Sequence, residues 1–118
     1  MFESTISLLR VSDARTSEAF YCDTLGFRKS WEIDLGEGEP VFIEVTRDRV
    51  SLHLSEYEGD GPLGIQLYVN VSDAEELHET LVDHDALIVE PLHHAEWGHM
   101  VFAIQDPDGN LLRFGSPV

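Results

Sequence analysis

His93, His94 and His99 fall in one short stretch of the chain, and clustered imidazoles make metal binding the first chemistry to test. The spacing argues against it. Two adjacent residues in a loop point apart, and no Cys or acidic pair at a recognised ligand spacing completes a set, so solvated loop histidines are expected. His78 and His84, on or just beyond a helical run, are expected to face water. Ser51 and His53 form a hydrolytic triad with an Asp only on paper, because no nucleophile-elbow sequence accompanies them. The glycines near Gly36 and Gly61 lack the spacing and the lysine of a phosphate loop. What remains is Phe42, Glu44, His53, Gln66, Tyr68, Trp97 and Arg113, a set of rings, an amide, an imidazole and charges suited to holding a ligand. No catalytic residue is assigned.

Strands must position most of these residues. In Val41-Phe42-Ile43-Glu44-Val45 the odd positions are β-branched and the even ones carry Phe42 and Glu44, so period-two alternation sends the two sets to opposite faces. Likewise Val50, Leu52 and Leu54 oppose Ser51, His53 and Ser55. Leu67, Val69 and Val71 oppose Gln66, Tyr68 and Asn70, and Leu112 and Phe114 oppose Leu111 and Arg113. One face packs on helices; if the sheets curl toward each other, the other lines a groove.

The elements come twice. Val11-Ser12-Asp13-Ala14 returns as Val71-Ser72-Asp73-Ala74, an offset of 60, each copy lying between a strand-like and a helix-like run. Strand Ile6 to Val11 precedes a helix from Ala14 to Leu25 capped by Ser12-Asp13 and ended by Gly26. Phe27 to Ile33, Val41 to Thr46 and Val50 to Ser55 follow as strands. Glu58 to Pro62 is a separating loop. Strand Ile65 to Val71 then leads to a helix through about Val82, with Ser72 and Glu75 as capping box. Leu87 to Glu90, His99 to Gln105 and Asn110 to Gly115 complete the second set. The fold class expected is α+β: two βαβββ repeats, residues 1–57 and 63–118, forming curled mixed sheets around a groove in a single domain.

Composition narrows the partners. The chain of 118 residues has 23 Asp and Glu against 7 Lys and Arg, a formal charge of -16. That field repels nucleic acid and attracts cations, although one Lys among seven basic residues equally suits adaptation to high salt. No apolar run approaches a membrane span, and Met1 to Thr5 is unlike a signal peptide, so a cytoplasmic location is expected. Cys22 stands alone, which excludes an internal disulfide.

The repeated order, with Val11-Ser12-Asp13, Ala19-Phe20-Tyr21, Leu25-Gly26-Phe27, Trp97-Gly98 and the run Asp106-Pro107-Asp108-Gly109-Asn110-Leu111-Leu112-Arg113-Phe114, resembles the vicinal oxygen chelate superfamily over essentially the whole chain. Within that superfamily, which also holds glyoxalase I and extradiol dioxygenases, the likeness is greatest to the bleomycin resistance proteins. In the enzymes, four strand residues bind a divalent ion. The resemblance puts the equivalent positions at Ile6, His53, Gln66 and Arg113. Isoleucine has no donor atom and arginine brings a permanent positive charge, so no metal and no cofactor are expected.

By that resemblance the chain is a metal-free binding protein that sequesters a small cationic or aromatic ligand, such as a cationic glycopeptide antibiotic, in the groove of a homodimer. Trp97 is then a stacking residue or, equally, a plug for the end of the barrel. Phe42, Glu44, His53, Gln66, Tyr68 and Arg113 either touch the ligand or fill the groove. Trp31 is a lid, a dimer contact or ordinary packing. The alternative is a metal-dependent lyase or dioxygenase using His53 and Gln66 with Glu44 or His99; a third reading is an interaction module with a filled groove.

Overall fold

Asp13 ends the first strand because its carboxylate serves the backbone that follows. It accepts from the N–H groups of Arg15 (3.0 Å) and Thr16 (3.3 Å), capping helix α1 (Ala14–Ala19) directly after strand β1 (Ser7–Arg10). The helical path continues through a widened turn, Phe20–Thr24, and leaves it at Gly26, whose φ of 71° suits a residue without Cβ. β2 (Arg28–Ile33), β3 (Phe42–Arg47) and β4 (Val50–Ser55) complete a four-stranded sheet of order β1-β4-β3-β2, with β1 parallel to β4 and the other pairs antiparallel. Glu56 accepts from the N–H of Ala14 (2.7 Å) and of Val41 (2.9 Å), so one carboxylate ties the start of α1 to the entry of β3. The helix-facing side is fully apolar: Leu9, Ile43, Val45, Leu52 and Leu54 are buried with Tyr21, whose ring meets Phe20 and Phe27 edge-on.

The computed structural model describes residues 1–118 and divides into two units, Met1–Leu63 and Gly64–Val118. The second unit has the same internal plan. β5 (Gln66–Asn70), α2 (Ala74–Asp83), β6 (Ile88–His94), β7 (His99–Gln105) and β8 (Leu111–Pro117) form a sheet of order β5-β8-β7-β6, with β5 parallel to β8. The duplication reaches the register and the capping bonds. Ser7 pairs with Leu52 and Leu67 with Leu112; the Ala14 N–H is held by Glu56 and the Ala74 N–H by Ser116, at 2.9 Å. This is an α+β fold of two βαβββ repeats.

Three local expectations need correction. The α2 cap is Asp73, whose carboxylate accepts from the Glu76 N–H at 3.0 Å, and not Ser72 with Glu75. His93 and His94 lie on β6 and not in a loop. As an edge strand, β6 accommodates Pro91 and two register irregularities, features that blur its alternation in the sequence. His78 is half-buried edge-on against Phe102, at 5.1 Å between rings, while exposed His84 bonds the Thr80 carbonyl. The Asp106 to Asn110 turn is a clamp: Asp106 accepts from the N–H groups of Asp108 and Asn110, and the Asn110 side-chain oxygen accepts from those of Gly64 and Ile65, fastening the entry of β5.

Candidate functional site

Cross-strand register decides which of the mixed-face residues meet. In the first unit one row runs Leu8, His53, Glu44, Trp31 across β1, β4, β3 and β2. His53 Nε2 lies 2.9 Å from Glu44 Oε2. Residues two apart on a strand share a face, so Phe42, which pairs with Ile33, stands diagonally beside Trp31. Their rings stack at 5.8 Å with planes 4° apart, and both meet His53 edge-on, at 5.4 and 5.0 Å. Trp31 remains 41% exposed, so this is an aromatic floor open to solvent. Beside it Ile33, Phe42, Tyr57 and Asp60 line a depression of about 320 Å³.

The matching row of the second unit is Tyr68, Arg113, Ala103, Glu90. Arg113 donates from Nε (3.0 Å) and Nη2 (3.1 Å) to the two oxygens of Glu90, a forked pair formed across the strand that carries small, buried Ala103. Tyr68 crosses onto β8, where its hydroxyl lies over Gly115; any Cβ there would overlap it. The hydroxyl lies 2.7 Å from His99 Nδ1 and accepts from Trp97 Nε1 at 3.3 Å. Trp97 itself is 60% exposed, in the turn that Gly98 closes between β6 and β7. Gln66 is exposed at the start of β5, on the face of Tyr68.

Of the seven residues chosen from the sequence, Phe42, Glu44 and His53 cluster within the first unit; within the second, Tyr68 meets Trp97, Arg113 is tied to Glu90, and Gln66 stands exposed at the start of β5. Trp31 belongs to the first cluster; parity with Ile33 and the register irregularity between Lys29 and Trp31 hide this from alternation in the sequence. Tyr57 and Asp60 carry no alternation signal, since they sit in a short helical turn after β4. Ser51 bonds the Thr46 hydroxyl at 3.0 Å, while His53 is engaged with Glu44.

Arg113 is ion-paired with Glu90, His53 is hydrogen-bonded to Glu44, and no group of three or more His, Cys, Asp or Glu side chains is placed as a ligand set.

The family described as "Glyoxalase superfamily protein" matches residues 1–118. No curated protein matches significantly. Among solved structures, similarity extends to a member of the glyoxalase/bleomycin resistance protein/dioxygenase superfamily from Sphaerobacter thermophilus DSM 20745, at 24% identity over 98% of both chains and a TM-score of 0.81. A bleomycin-binding protein from bleomycin-producing Streptomyces verticillus, complexed with copper(II)-bleomycin, is 25% identical over 100% of this chain and 98% of that one, with a TM-score of 0.77. TnmS3, an antibiotic-binding protein from Streptomyces sp. CB03234, is 21% identical with the same coverage and a TM-score of 0.84.

Proposed function

The chain belongs to the glyoxalase superfamily, and from that premise we propose that it is a metal-free binding protein that sequesters a small cationic or aromatic molecule, working in the cytoplasm as a homodimer. The observation that carries this reading is the exposed aromatic floor of Trp31, Phe42 and His53, with Glu44 hydrogen-bonded beneath it. Stacked rings offer a planar ligand contact without reacting with it, and a neighbouring carboxylate favours positive charge. Trp97 and Tyr68 supply a second exposed aromatic pair. Likeness to the antibiotic-binding TnmS3 and to the bleomycin-binding protein supports the reading. So does the donor set, since the resemblance equates an isoleucine and an ion-paired arginine with two of the four metal-binding positions of the superfamily's enzymes.

Two measurements test it together. Elemental analysis of the purified protein is expected to show no stoichiometric Mn, Fe, Ni or Zn; about one ion per chain would instead support the lyase or dioxygenase reading. Calorimetric titration at moderate salt with bleomycin and with planar aromatic drugs is expected to give saturable binding that Trp31→Ala or Trp97→Ala weakens about tenfold, the loss typical of a stacking anchor. Absence of binding across the panel would reject the proposal.

A further inference from the structure

We infer that the depression in the first unit is a specific site for an aromatic organic cation, with Asp60 as its charge anchor; this rests on the small-molecule-binding reading and names the ligand chemistry. Three of the four lining residues, Ile33, Phe42 and Tyr57, are apolar or aromatic, and the fourth is a carboxylate. The depression of about 320 Å³ is wide open to solvent, so a ligand of one or two rings would lie across it and not be enclosed.

The carboxylate is held in place. Ser55, wholly buried, donates its hydroxyl to Asp60 Oδ2 at 2.6 Å, and the Tyr57 N–H donates to the Ser55 hydroxyl at 3.1 Å. The Asp60 N–H closes the turn on the Tyr57 carbonyl at 3.0 Å. This relay orients one oxygen and leaves Oδ1 for a ligand. No lining residue is basic, so an anion finds no partner, and a neutral ring offers the exposed carboxylate no charge-assisted hydrogen bond. A planar cation satisfies both requirements: its ring lies against Phe42 and Tyr57, whose own rings stand 6.4 Å apart at 58°, and its N–H groups reach Asp60. The acid excess of the chain raises the local concentration of such cations without selecting among them.

The test compares benzamidine, cationic at neutral pH, with its neutral isostere benzamide. Binding is read by calorimetry on the otherwise unaltered protein, in about 0.15 M salt to screen the diffuse field. Benzamidine is expected to bind about tenfold more tightly than benzamide, the gain of one charge-assisted hydrogen bond. Asp60→Asn should erase that preference, while Asp48→Asn, an equal charge change at an exposed hairpin tip, should preserve it. Equal binding of the two probes, binding of neither, or an unchanged preference in Asp60→Asn would each overturn the inference. If the larger drugs still bind under those results, the sequestration reading stands and only this site is lost; if they fail as well, both fall.

Discussion

Gly115 shows how one missing side chain organises a cluster. It takes the place in the second repeat that Ser55 holds in the first, and its lack of Cβ lets the Tyr68 hydroxyl lie over β8 between His99 and Trp97. Gly115→Ala is therefore expected to push Tyr68 out, breaking the contact with His99 at a cost of roughly 1 kcal/mol. In a Tyr68→Ala background the same substitution should cost less, since only the His99 ring then stands close to the new Cβ, and a double-mutant cycle in urea reads the difference. At Ser55 the hydroxyl that Gly115 lacks is the one that orients Asp60. The same position thus supports an aromatic cluster in one repeat and an anchored carboxylate in the other. Parity along the strands was enough to place Phe42, Glu44, His53 and Tyr68 on their faces. It was silent about Asp60 and Tyr57, whose positions follow from a turn and not from alternation.

Among the elements, the two helices are set by their caps. Asp73 and not Ser72 bonds the α2 backbone, so Asp73→Ala should lower stability by about 1 kcal/mol and Ser72→Ala should leave the thermal midpoint nearly unchanged. An ionic network fastens α1 to β2. Arg15 donates to Glu18, Glu32 and Asp34, and Lys29 donates to Glu32 at 2.6 Å. Hydrogen bonds from Arg15 and then Lys29 hold the Glu32 carboxyl down at about 2, while the same contacts push the Arg15 guanidinium further up. Because the folded value lies below the ordinary 4.5, the stabilisation is complete above that pH and disappears as pH falls through about 2. The difference in thermal midpoint between wild type and Glu32→Gln should accordingly be present at pH 6, shrink below pH 4.5 and vanish near pH 2. It should also be small and reduced by salt, since these groups face solvent.

For the molecule as a whole, duplication is the dominant fact, and it was legible in the chain. The offset of 60 between Asp13 and Asp73 also relates the two parallel-strand registers, and the two helix-start clamps at Ala14 and Ala74. Fold class, the order of elements along the chain and the faces that pack inward follow from such local signals: alternation of side chains, cap residues, and glycines where the backbone turns. These depend on near neighbours and are written along the chain. The sequence by itself therefore determined a duplicated α+β scaffold and the faces on which its polar and aromatic residues stand. Only the tertiary structure decided that Trp31 stacks on Phe42, that Arg113 pairs with Glu90, and that Ser55 holds Asp60 at the edge of an open depression. The physical reason is that strand register and turn geometry join residues far apart in sequence, and no periodicity encodes which of them will touch.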